Sequence, residues 1–377
     1  MRRAYIDWLR GVAVLFMIEW HSIDAWTRLD ARESSTFDWL IFFGGWAAPM
    51  FLFLAGVSVP LAGESRLKRA AGGNSERSAT AARRAASWSL QKRGWQIFVI
   101  AHLFRFFGFL LAPGSIWSGL LKPDILNILG LGIVAVAFCW GRMPELGPPE
   151  LRTANSERRT AAAAALWLLG PGVAIVMLAP ASRLWWWPTL LYPRFEAYIR
   201  PVGNLGVFNL FPTAAFIFIG AFVGVLIASP RDQSADRRFH LWLAIGGVAV
   251  WMAGWAGSYL PPLSSRSEFY TTSLSLVVIR CGVMTAALAA AWLWMRRPTA
   301  QHWSPLALLG RTSLFVYLVH IQLAYGLFSA PLHHALSLPA ALAAYALLTI
   351  VMLAAADWWE KRGRGPWIAT EIKAVST

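Results

Sequence analysis

The feature that most constrains this chain is a succession of apolar runs, each about as long as a bilayer is thick. A spanning helix needs roughly 20 mostly apolar residues. Ten segments meet that length: 6–27, 38–61, 94–113, 124–141, 161–180, 204–229, 240–259, 271–295, 305–328 and 338–358. Only helices and closed barrels satisfy the backbone where water is absent, and runs of this length predict helices. Composition agrees, with 57% hydrophobic and only 14% charged residues among 377, against about 25% charged in a soluble domain. Gly44, Gly45, Pro49, Pro171 and Pro212 interrupt the runs, as membrane helices tolerate when neighbours take up the freed backbone groups. The expected fold is therefore all-α, one polytopic bundle of about ten transmembrane helices over residues 1–377.

The formal net charge of +15 would suggest nucleic acid on a soluble chain. Here its placement excludes that partner, because the Lys and Arg fall in short loops between apolar runs. The N-terminus, loops 62–93, 142–160, 230–239 and 296–304, and the C-terminal tail hold 23 of them, whereas the alternate loops hold seven. That alternation predicts both termini on the cytoplasmic side. The inner loop 62–93 reads as a solvated, partly helical connector near anionic headgroups. The outer loop 181–203 carries Trp185, Trp186 and Trp187, which read as interfacial anchors. Cys139 and Cys281 lie inside apolar runs, so neither a disulfide framework nor a metal site is expected. The first run carries Arg10, Glu19, His21 and Asp24 without a small-residue cleavage site, unlike a signal peptide.

Residues that are expensive in lipid mark where to look for function. Arg10 and His21 are eleven positions apart, almost three helical turns, so they share one face about 16 Å apart. Asp7 is placed to neutralise Arg10, and Asp24, one turn past His21, is placed to reach the imidazole and fix its tautomer. The bland alternatives are that Arg10 snorkels to the interface and His21 merely bonds a neighbouring helix. Further candidates are His102 and Arg105 on one face of the third helix, Asp124 and Asn127 opening the fourth, Arg280 in the eighth, and Arg311 and His320 in the ninth. Asp124 also suits a helix start, and His333 and His334 read as loop surface. No HExxH, CxxC, GxSxG or P-loop pattern occurs, so zinc hydrolase, redox, serine hydrolase and NTPase chemistry lack support.

Arg10 and His21 in this spacing, following Asp7, resemble the Arg-x10-His signature of the membrane-bound acyltransferase family 3. The stretches 49–56, 123–130, 211–220 and 309–320 are similar, in the same order, to bacterial relatives of the transmembrane heparan-α-glucosaminide N-acetyltransferase. The heparan-type enzyme has Asn where His21 stands and its active histidine in the following outer loop. Here residues 26–35 contain no His, so the family 3 arrangement holds at this position.

The resemblance implies a multi-pass protein of a bacterial-type cytoplasmic membrane. It also implies transfer of an acyl group, acetyl above all, from cytoplasmic acyl-CoA to an external sugar or glycan, without a metal. By position, His21 with Asp24 would be catalytic, and Arg10 with Arg311 would meet the CoA phosphates. His21 would act as general base or carry the acyl group, and His320, Asn127 or a helix terminus would stabilise the oxyanion. The competing class is a transporter or translocator of a sugar or lipid-linked substrate. Orientation is testable directly: alkaline phosphatase fused after Leu190 should be active, and fused after Ala235 inactive. The opposite pattern refutes cytoplasmic termini.

Overall fold

The computed structural model describes residues 3–71, 79–111, 117–144, 154–203, 205–206, 208–229, 231–261, 269–297 and 304–363. In chain order the helices are α1 (Ala4–Trp26), α2 (Ser35–Gly44), α3 (Ala47–Ala71), α4 (Ala79–Leu111), α5 (Ile125–Arg142), α6 (Ala154–Ala164), α7 (Gly170–Ser182), α8 (Pro193–Ile199) and α9 (Leu210–Thr213). There follow α10 (Ala215–Ala228), α11 (Gln233–Gly257), α12 (Phe269–Thr272), α13 (Leu274–Trp294), α14 (Pro305–Arg311), α15 (Ser313–Tyr325) and α16 (Leu338–Gly363). A π-helical turn, Ala165–Leu169, joins α6 to α7. The described residues are all-α, with one isolated bridge between Thr27 and Leu336.

Seven stretches are long and apolar enough to cross a membrane, and an eighth is the bent pair α14–α15. The other two anticipated runs are also helical: 6–27 is α1, and 94–113 falls mainly in the second half of α4. Neither is among the seven. Every stretch of α1 long enough to span holds at least three of Asp7, Arg10, Glu19 and Asp24. Elsewhere the apolar surface faces outward, as on α11, where Trp242 is 68% exposed. Apolar area of that kind is a liability in water and the ordinary surface toward lipid.

The run 305–328, expected as one helix, is broken. Thr312 leaves helical geometry at φ −103°, ψ 15°, and α14 meets α15 at 89°. The Thr312 hydroxyl turns back to the Leu308 carbonyl at 2.9 Å, capping the first piece. Arg311 and His320 consequently lie on different helices.

The chain divides into two compact units. In the unit spanning Phe51–Ala289, α4 packs along α5. There α3 and α10 meet backbone to backbone, because a methyl group on Gly56 or Gly220 would collide with the carbonyl of Ile217 or Phe53. Small residues permit such approach between membrane helices. In the unit formed by Arg2–Met50 and Ala290–Thr377, α1 contacts α2, α14, α15 and α16. Its closest approach is to α14, where a methyl group on Gly11 would strike the Leu306 carbonyl and one on Gly310 the Asp7 carbonyl.

The segment after α15 runs beside the C-terminal end of α1. The His334 amide donates to the Ala25 carbonyl at 3.0 Å, the Leu336 amide to Trp26 at 2.9 Å, and the Arg28 amide to Leu336 at 2.9 Å. Overpacking a tight contact costs about 1–3 kcal/mol, so Gly310→Val should lower the melting temperature in detergent. Gly246→Ala, where a side chain meets open space, should not.

Candidate functional site

The inward-facing stripe of α1 starts with an ion pair. Arg10 Nη1 lies 3.0 Å from Asp7 Oδ1, one turn away, as the sequence predicts. Farther along, His21 Nδ1 lies 3.2 Å from the Tyr325 hydroxyl, which donates to Asp24 Oδ2 at 3.1 Å. A phenol has one proton and a carboxylate only accepts. The Tyr325 oxygen must therefore accept from His21, placing the imidazole proton on Nδ1 and leaving Nε2 as a bare base.

Asp24 thus reaches His21 through a tyrosine and not by direct contact, which corrects the expectation from sequence. The reason lies in a competing cation. Arg32 Nη1 is 3.5 Å from Asp24 Oδ1, and Arg32 Nη2 also bonds the Asp24 backbone carbonyl. A guanidinium is a stronger partner for a carboxylate than a neutral imidazole, so the side chain is held toward the turn Leu29–Glu33 that follows α1.

His320, on α15, completes the group. Its ring centroid is 5.3 Å from that of His21. It is fully buried, and its Nδ1 lies 2.8 Å from the Val316 carbonyl, so Nδ1 carries the proton. His320 Nε2 is buried without a hydrogen-bond partner among the described residues. The loop histidines read as surface are exposed at His334 and half-buried at His333, and both have partners beside the site. His334 Nδ1 accepts from Arg32 at 2.9 Å, and His333 Nε2 lies 3.2 Å from both Ser329 Oγ and the Ala324 carbonyl. Tyr325 and Arg32 escape sequence reasoning, because nothing in their local pattern announces a partner some 300 positions away.

Toward the other end of α1, Arg311 forms a two-pronged pair with Glu360 of α16, at 2.7 and 2.9 Å. Both arginines expected to face CoA phosphates thus hold carboxylates, and Glu360 was not singled out beforehand.

The remaining candidates assemble separately, in the other unit. The Asp124 amide donates to Asn127 Oδ1 at 3.0 Å, and the Asp124 carboxylate accepts from the Ile125 amide at 2.6 Å and pairs with Arg105 at 3.1 Å. This is a capping box, the helix-start role. Asn127 Nδ2 lies 3.2 Å from His102 Nδ1, which also lies 3.0 Å from the Phe98 carbonyl. A proton on that nitrogen satisfies Phe98, and a lone pair satisfies Asn127. His102 Nε2 meets the Tyr198 hydroxyl at 3.4 Å. Tyr198 lies in α8, outside the spanning stretches, and burial pushes its phenol up to about 12, with Arg105 opposing and Asp124 adding. Phe98, Val99, His102, Leu103, Phe106 and Leu120 line an open groove of about 390 Å³ beside it. Arg280 stands on α13, a helix that supplies none of the other candidates.

A hydrogen bond worth about 1 kcal/mol biases two tautomers roughly fivefold. Nitrogen-15 spectra should therefore report His21 protonated at Nδ1, and Tyr325→Phe should erase that preference. An unchanged spectrum refutes the bridge.

No curated protein matches the chain. Residues 224–367 match a family described as a protein of unknown function (DUF418). Residues 2–258 match the catalytic family of heparan-α-glucosaminide N-acetyltransferase. His21 and Asp24 fall in this latter stretch, and His320 and Tyr325 in the former. Because the match over 2–258 covers more than half of the 377 residues, the chain belongs to the heparan-α-glucosaminide N-acetyltransferase catalytic family.

Proposed function

We propose that this protein is a transmembrane acyltransferase that moves an acyl group, acetyl first among them, from cytoplasmic acyl-CoA to a sugar or glycan acceptor on the external face. The observation that carries this reading is the His21–Tyr325–Asp24 chain, with His21 Nδ1 tied to the phenol at 3.2 Å and the phenol to the carboxylate at 3.1 Å. It leaves one basic nitrogen, Nε2, in a fixed orientation. Family membership supports acetyl transfer as the chemistry.

In this mechanism His21 Nε2 takes the proton from an acceptor hydroxyl or amine as that atom attacks the thioester carbonyl. A new C–O or C–N bond forms, the C–S bond breaks, and the departing CoA thiolate recovers the proton from His21. While His21 is cationic, the Tyr325 hydroxyl and Asp24 carboxylate stabilise the charge. Transient transfer of the acyl group to Nε2 is the covalent variant.

The ten-helix topology with cytoplasmic termini sets the direction. Arg10 lies near the inner end of α1, about 16 Å from His21 along the helix, a span the pantetheine arm covers. Arg10 and Arg311 would take the CoA phosphates by exchanging Asp7 and Glu360 for phosphate oxygens. His21→Ala, purified and supplied with acetyl-CoA and a panel of free hexoses and hexosamines, should lose at least roughly a hundredfold in transfer. Full retention refutes the role of His21. Absence of CoA binding by the wild type, with sugar counterflow in proteoliposomes, would favour transport.

A further inference from the structure

His320 is the histidine of the His21 group with a ring nitrogen that is sealed from solvent and has no partner among the described residues. Its proton is committed to the Val316 carbonyl at 2.8 Å, so Nε2 bears a lone pair and no hydrogen. That nitrogen is buried and has no partner among the described residues. In this tautomer it cannot donate to an oxyanion, which removes the role expected of His320 from sequence. Its surroundings are His21 at 5.3 Å and the edge of Tyr317 at 5.8 Å between ring centroids. Beyond His21 stand Tyr325, Asp24 and Arg32.

An acceptor buried without a donor is unfavourable in a resting protein, and such exceptions call for an explanation. The neighbouring imidazole supplies one. At rest His21 is neutral, with its Nδ1 proton turned to Tyr325. When Nε2 of His21 takes a proton, the ring becomes a cation, and the buried lone pair of the adjoining His320 ring then attracts it. The attraction is weak before proton transfer and strong during it, which is the condition for raising a rate without tightening substrate binding.

We infer that His320 is a positioning residue that acts through His21, its sealed Nε2 lone pair stabilising the imidazolium formed during transfer. This rests on the acyl-transfer reading given above. No atoms are exchanged with His320: the proton travels from acceptor to His21 and on to the CoA thiolate, and His320 keeps its own proton on Nδ1.

The test uses the full chain in detergent, with acetyl-CoA, a panel of free hexoses and hexosamines, and release of CoA thiol as the readout. In His320→Leu, kcat should fall at least about tenfold while KM for acetyl-CoA and sugar stays within about twofold. The melting temperature should not drop, since an unsatisfied buried group is removed. His320→Gln, with a carbonyl oxygen at similar reach, should recover part of kcat. A His320→Leu enzyme as fast as wild type overturns the inference. So does one that loses melting temperature along with kcat or fails to fold, because that outcome is structural. A Gln variant no better than Leu overturns it as well. A wild type that releases no CoA with any acceptor overturns the acyl-transfer reading and this inference together, whereas an active wild type with an unaffected variant overturns this inference alone.

Discussion

The close approach of α1 to α14 is the contact on which the candidate site depends. α1 carries Asp7, Arg10, Glu19, His21 and Asp24 in one helix, a load that lipid does not accept at depth. Such a helix persists only if protein surrounds it, and α2, α14, α15 and α16 do so. Gly11 and Gly310 remove the side chains that would hold α14 away. The 89° turn that follows sends α15 along α1, which brings His320 and Tyr325 to His21.

Much of this was legible in the sequence. Run length and loop charge sufficed to predict a multi-pass helical protein, and the three-residue spacing of Asp7 and Arg10 anticipated their ion pair. Four of the site's features were not legible, for separate physical reasons. The break at Thr312 sets two helices against α1, a packing that an apolar run does not record. Asp24 was assigned to His21 because helical spacing allows it, but Arg32 competes from a turn that has no regular period. Tyr325 and Glu360 sit at the ends of runs where polar residues are ordinary. The partners of His333 and His334 were not foreseen, because a loop gives no sign of what it lies against.

The two polar groups differ in how far structure alone accounts for them. Asp124 and Asn127 are occupied by the start of α5, where capping accounts for their identity. In the group around His21, local structure explains less. A helix end does not require a histidine whose two neighbours are a phenol and a second imidazole, nor does it require a buried lone pair. Membrane interiors place a high penalty on polar atoms without partners, so their persistence in this group is more informative than the mere presence of ionisable residues.

The pairing of residues 334–336 with residues 25–28 joins the C-terminal end of α1 to the loop that precedes α16. That has a consequence for synthesis. The first helix is made while its partners α14, α15 and α16 are still untranslated, with Asp7 paired to Arg10 and Asp24 to Arg32 but no α15 yet beside His21. Until those helices emerge, it has α2 alone among its four helix neighbours. The wall around His21 therefore forms only after α15 has been made, and a ribosome that stops short of His320 leaves a chain rich in membrane helices but without the enclosure that its first helix was built to enter.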